Sequence, residues 1–316
     1  MTAGRWVNGL HFRNLRGDFY GGLTAAVVAL PLALAFGVSS GAGPVAGVYG
    51  AIFVGLFAAL FGGTPSQVSG PTGPMTVVMA AVFTHFTALY PDDPGRGAAL
   101  AFTVVMMGGA FQVLFGVLRL GRYIALIPHP VISGFMSGIG LIIILLQLGP
   151  LLGHEAASGP LAAARAVPEF LADPVPAAVA LGALSLAVVY LLPSRINRLV
   201  PAPLVALVVG TLALPLLFPD GRATVLGDIP TGLPVPQWPA IELDQLPYMV
   251  KSALMLAALG SIDSLLTSLV ADNITRTHHR PERELVGQGI GNTVAGLLGG
   301  LPGAGATMRT VVNVRA

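Results

Sequence analysis

Residues 61–78 read FGGTPSQVSGPTGPMTVV, and residues 298–312 read LGGLPGAGATMRTVV. In each, a Gly-Gly-x-Pro stretch follows a long apolar run and leads through further glycines into a short run carrying Thr-Val-Val. Glycine and proline at this density interrupt a helix, so each stretch reads as extended backbone ahead of a short helix. One such stretch alone is ordinarily a plain loop. Its recurrence in the same setting argues for a built feature, and the surrounding runs decide which.

Those runs belong to a membrane. Hydrophobic residues make up 54% of the 316-residue chain and charged residues 9%, with a mean hydropathy of +0.80, where a soluble domain carries about 25% charged residues. Apolar runs near the ~20 residues a spanning helix needs fall at 20–40, 44–63, 98–118, 131–152, 174–192, 201–218, 248–271 and 284–300. Two shorter runs, 72–89 and 304–316, follow the Gly/Pro stretches and complete about ten segments, the last one cut off. The formal charge of +2 offers no basic field, and the arginines lie at segment ends, which excludes nucleic acid as a partner. With no cysteine there is no thiolate chemistry, so any metal site must use oxygen or histidine. No two of His85, His129 and His154, at segment ends, have metal-ligand spacing. Only Lys251 of sixteen basic residues is lysine, which suggests a GC-rich bacterial genome.

Charge fixes an expected orientation. With Arg5, Arg13 and Arg16 on the cytoplasmic side, the same side receives Arg119, Arg122, Arg195, Arg198, Arg276, Arg280 and Arg283. The opposite loops are dominated by carboxylates such as Asp92, Asp93, Glu155, Glu169, Asp220 and Asp228. This alternation is the positive-inside pattern, and it holds only if both short segments count as spans. The first short helix is segment three and the second segment ten. An odd offset inverts topology, so the two enter from opposite sides, as in the inverted repeats of secondary transporters whose interrupted helices aim positive N-terminal ends at an anion. Residues 1–18 are expected to be a cytoplasmic lead-in, 19–218 a first seven-helix repeat, 219–247 an outer loop, and 248–316 the start of a second repeat.

The eighth segment, PYMVKSALMLAALGSIDSLLTSLVA at 247–271, carries Asp263 near its middle. An ionisable group at that depth costs about 2.5 kcal/mol or more and marks an ion or substrate site by default; the bland reading is a structural carboxylate bonded to backbone amides. Gly260, Asp263, Ser264, Thr267 and Ala271 recur at three- and four-residue steps, on one small, polar helix face. A carboxylate and a hydroxyl one turn apart offer hard oxygen ligands to a small cation such as sodium, or a carboxylate for a proton. Arg309 is the second intramembrane charge. It adds positive potential to an anion site, or else neutralises a carboxylate or reaches an interface. Gln112 and Gln147 read as helix–helix hydrogen bonds, and the glycines of GGLTAAVVALPLALAFGVSSGAG and VISGFMSGIG as sites of close helix packing.

GPTGPMTVV at 70–78, GSIDSLLTSLVADNIT at 260–275 and ELVGQGIGNTVAGLLGGLPGAGATMRT at 284–310 resemble the SulP, or solute carrier family 26, anion transporters, and most of all their bacterial bicarbonate-type members. The resemblance covers essentially the whole chain. It implies an all-α polytopic membrane fold of seven plus seven inverted helices with half-helices at segments three and ten, divided into core and gate domains and followed by a cytoplasmic STAS domain. Four helices and that domain are not in this chain. The resemblance assigns sodium to Asp263, Thr267, Gly305 and Thr307, and the anion to Thr72, Gly73 and the backbone around Ala306 with Thr307 and Arg309. It implies no enzyme activity and no cofactor beyond a coupling sodium or proton, a homodimer in the full-length parent, and residence in the bacterial inner membrane. The activity it implies is sodium-coupled bicarbonate symport; the alternatives are proton-coupled dicarboxylate or sulfate symport, and an anion channel.

Overall fold

Prolines punctuate the chain. Pro44, Pro74, Pro94, Pro176, Pro247 and Pro281 each stand in the first turn of a helix, where the missing N–H has no intrahelical partner to lose. The structure, a computed structural model, describes residues 8, 14–126, 129–154, 160–193, 196, 202–218 and 234–315. Most of the expected lead-in and residues 219–233 of the expected outer loop lie outside the described residues.

In chain order the elements are α1 (Leu15–Ser39), α2 (Pro44–Phe61), β1 (Ser69–Pro71), α3 (Gly73–Leu89), α4 (Pro94–Val117), a 3₁₀ turn (Leu120–Leu126), α5 (His129–Leu152), α6 (Pro160–Ala172), α7 (Pro176–Leu191), α8 (Ala202–Leu217), α9 (Leu246–Thr275), α10 (Pro281–Leu297), β2 (Gly303–Gly305) and α11 (Thr307–Arg315). All ten expected segments are helices. α1, α2, α4 and α9 are each long and apolar enough to cross a membrane, and α6 with α7 forms a pair bent by 112°. Helix α6 is absent from the apolar runs because its 13 residues include Arg165 and Glu169. The all-α expectation needs one amendment: both Gly/Pro stretches contain a three-residue strand, and the two strands pair antiparallel.

The described residues fall into two compact units, one drawn from 1–131 and 229–316, the other from 132–228. In the first, α3, α4 and α9 share a core of Met75, Met79, Phe86, Leu100, Val104 and Leu256. Helix α10 lies against α4 and α2 with almost no side chain between backbones. A Cβ on Gly109 would stand 2.5 Å from Thr293 N and 2.6 Å from Gly289 O, and one on Gly289 would stand 2.6 Å from Gly109 O. Close approach also holds at Gly37 and Gly47 between α1 and α2, as the sequence reading expects. It does not hold for VISGFMSGIG: around Gly134, Gly138 and Gly140 nothing described lies within 4 Å of a Cβ position. Small residues permit contact between helices but do not create it, and these glycines lie on helix surface that no described residue covers.

In the second unit α7 and α8 pack together, the Val175 N–H donates to Leu152 O at 2.9 Å, and the His154 ring stacks on Phe170 at 5.0 Å between centroids.

Candidate functional site

The two strands cross in the register Ser69↔Gly305, Gly70↔Ala304 and Pro71↔Gly303, with all six residues buried. Three of the six are glycine where neighbours leave no room: a Cβ on Gly303 would overlap the Gly70 backbone, and one on Gly70 would stand 2.8 Å from the Arg309 guanidinium. Beyond the crossing each strand turns directly into a helix, α3 after Thr72 and α11 after Ala306. The first amides of both helices therefore sit at the ends of the crossed strands, where an intrahelical acceptor is missing.

α9 brings the cation candidates to this crossing. Thr267 is fully buried; its hydroxyl donates to Gly305 O at 2.9 Å and shares a 2.8 Å hydrogen bond with the Thr307 hydroxyl. Since Thr267 has one proton to give, Thr307 is the donor in the second bond. One turn earlier, Ser264 accepts from the Gly305 N–H at 3.0 Å. Asp263 is 7% exposed; its neighbours are the Thr72 hydroxyl and, at longer range, Arg309, and it forms no ion pair among the described residues. Among the described residues no backbone amide donates to its carboxylate, unlike the bland reading of a carboxylate satisfied by its own main chain. Thr267, Gly305 and Thr307 thus converge, with three oxygens each within 2.9 Å of the next, and Asp263 stands one turn earlier on the same helix, beside Thr72. All are hard donors suited to a small cation.

The anion candidates divide. Thr72 is buried, and its hydroxyl makes no well-aligned hydrogen bond. Gly73 opens α3 beside it. The Ala306 N–H, by contrast, donates to Val68 O at 2.9 Å, so anion-facing amides at this end must come from the first turn of α11, beginning with Thr307. Arg309 is 3% exposed and donates to Pro71 O at 2.6 Å. It is too buried to reach an interface and forms no close ion pair among the described residues; it brings positive charge to the strand crossing, within electrostatic range of Asp263.

Sequence reasoning missed the polar face of α10. Glu284, Gln288 and Asn292, spaced four apart, are each at most 2% exposed. The Asn292 amide closes two bonds on Gly303, accepting from its N–H at 2.7 Å and donating to its carbonyl at 3.0 Å, and also donates to Gln112 Oε1 at 2.7 Å. Gln288 donates to Ser69 Oγ at 2.5 Å and to Glu284 Oε1 at 2.8 Å. The four-residue spacing was available as a signal, in the same form that marked α9. The Gln112 bond is of the helix–helix kind expected for it.

Residues 15–316 match the model of the sulfate permease family. The chain is 52% identical over 311 residues to the bicarbonate transporter BicA of Synechocystis sp., covering 98% of this chain and 55% of that protein. It is 33% identical over 322 residues to the putative sulfate transporter YvdB of Bacillus subtilis, covering 99% and 58%. The chain thus spans little more than half the length of these relatives. Among solved structures, the transmembrane domain of a cyanobacterial bicarbonate transporter BicA superposes with a TM-score of 0.91 at 52% identity, over 98% of this chain and 79% of that one. Murine solute carrier 26 family member A9, at 19% identity and a TM-score of 0.78 over 96% and 54%, shares the fold. A family match over nearly every residue makes this protein a member of the sulfate permease family.

Proposed function

We propose that this chain is the greater part of the membrane domain of a secondary active transporter that carries bicarbonate together with sodium. The observation that carries the reading is the crossing itself: one antiparallel strand pair sets two helix starts, one guanidinium and one carboxylate around a common point. On this reading α3 and α11 are the half-helices of an inverted seven-plus-seven repeat, with the N-terminus cytoplasmic. The parent continues through further helices to a STAS domain, forms a homodimer, and resides in the bacterial inner membrane.

Sodium would be held by the Asp263 carboxylate, the Thr267 and Thr307 hydroxyls and the Gly305 carbonyl. The anion would meet Thr72, Gly73 and the first amides of α11, with Arg309 supplying positive potential through its hold on Pro71. With the carboxylate charge offset by the cation, the helix starts and Arg309 are left to attract the anion. By linkage each ligand then raises the other's affinity by the same factor. Alternating access follows if the unit holding this site rocks against the rest of the parent. Identity favours bicarbonate over sulfate, at 52% against 33%.

The test is uptake of labelled bicarbonate by the full-length parent in proteoliposomes under an inward sodium gradient. Sodium-driven uptake that Asp263→Asn abolishes supports the reading. Uptake indifferent to sodium but driven by a pH gradient would replace sodium with a proton on Asp263; absence of bicarbonate uptake by folded protein would discard bicarbonate.

A further inference from the structure

Glu284 is 1% exposed at the start of α10, and the hydrogen-bond donors that meet its carboxylate are neutral amides. Oε2 accepts from the Gly63 N–H at 2.8 Å; Oε1 accepts from Gln67 Nε2 at 2.9 Å and from Gln288 Nε2 at 2.8 Å. A carboxylate is the one side chain of this size that accepts on both oxygens and donates on neither, so it alone can satisfy three converging donors. Both amides it holds lead to the same backbone position. Gln288 passes the contact to Ser69, whose strand partner is Gly305. Gln67 rests its amide against the α-carbon of Gly305, where a Cβ would collide with Nε2, and accepts from the Ser268 hydroxyl at 3.0 Å, on the helix that carries Thr267.

We propose that Glu284 is a positioning residue for the cation site. By fixing two amides on either side of the Ser69–Gly305 pair, it holds the Gly305 carbonyl at the height where the Thr267 hydroxyl, itself bonded to Thr307, meets it. It touches neither ligand. The inference rests on the reading of Asp263, Thr267, Gly305 and Thr307 as the sodium site. It assigns the Glu284–Gln67 pair a role in sodium affinity rather than in anion recognition.

The experiment compares wild type, Glu284→Gln, Gln67→Met and the exchange Glu284→Gln/Gln67→Glu in the full-length parent. Sodium is titrated in two readouts, bicarbonate uptake and the sodium-dependent rise in melting temperature. Glu284→Gln should raise the half-saturating sodium concentration about tenfold, the scale on which outer partners tune a metal ligand. Maximal rate and bicarbonate half-saturation at saturating sodium should stay near wild type. Gln67→Met, which leaves the carboxylate in place and removes only the relay, should move sodium half-saturation the same way and keeps the test open if Glu284→Gln does not fold. The exchange variant restores an acceptor opposite a donor between positions 284 and 67 but leaves the Gln288 amide without its acceptor, and should recover only part of the loss. Variants that lower melting temperature or maximal rate while sodium half-saturation stays fixed would overturn the proposal, leaving Glu284 a packing element only. A wild-type protein that transports without any sodium response would remove the cation site, and this proposal with it, before any variant is compared.

Discussion

Thr267 joins an extended strand to the helix that carries the buried carboxylate, through one hydroxyl shared between Gly305 O and Thr307. Thr267→Val keeps the shape and removes the hydroxyl that ties these oxygens together. We expect half-saturating sodium to rise at least about tenfold, with bicarbonate half-saturation at saturating sodium changed less, read by uptake titrated in each ligand separately. Arg309 acts on the other ligand. Its guanidinium is buried and directed at Pro71 O, so Arg309→Met removes positive charge from the crossing and leaves a carbonyl unpaired. Bicarbonate affinity should fall by about tenfold, the effect of losing roughly one charge-assisted interaction, while sodium binding followed by thermal shift should be retained or strengthened, because a like charge near the cation is gone. Asp263 and Thr267 stood out in the sequence because a polar residue in an apolar helix is conspicuous, whereas Thr72, in the Gly/Pro stretch ahead of α3, was assigned by the resemblance alone. Glu284 was not: it sits at the end of a run, beside Arg280 and Arg283, where a carboxylate is ordinarily solvated. Only the fold back of Gly63 and Gln67 onto α10 buries it.

The elements divide the work by what their residues can satisfy. A strand pair of three residues cannot hold itself together, and this one is clasped from two helices: Asn292 and Gln288 on α10, Ser264 and Thr267 on α9. Replacing Asn292 by leucine leaves the Gly303 N–H and carbonyl without partners in a buried site, at a cost of about 1–3 kcal/mol for each group. The expected outcome is a clear drop in the melting temperature of the purified parent together with loss of transport; an unchanged melting temperature would mean that the crossing does not depend on this clasp. The presence of both short helices followed from the Gly/Pro stretches. That the stretches pair with each other in one register did not, because a hydrogen bond between residues more than 230 apart leaves no local trace. The same limit explains α6, whose short, charged sequence resembles a loop until its neighbours are in place.

At the scale of the molecule, α10 and α4 pack through facing glycines, and the Asn292–Gln112 hydrogen bond that leads to the site crosses the same seam. Gly289→Leu would drive a branched side chain into the Gly109 carbonyl and the Val113 amide, and overpacking against backbone cannot be relieved by a rotamer change. We expect loss of the monodisperse peak in detergent size-exclusion chromatography, whereas Gly138→Leu, on a surface that nothing described covers, should leave that peak in place. The sequence by itself determined the membrane class, the ten helical segments, the paired interruptions and the helix bearing Asp263, because each of these is a local excess of apolar or polar residues over about one helix length. Only the tertiary structure decided which oxygens meet, that the Ala306 amide is already engaged, and that Glu284 lies behind Gly305. Those facts depend on the approach of segments far apart in the chain, and burial and hydrogen bonding across such distances are properties of the packed molecule.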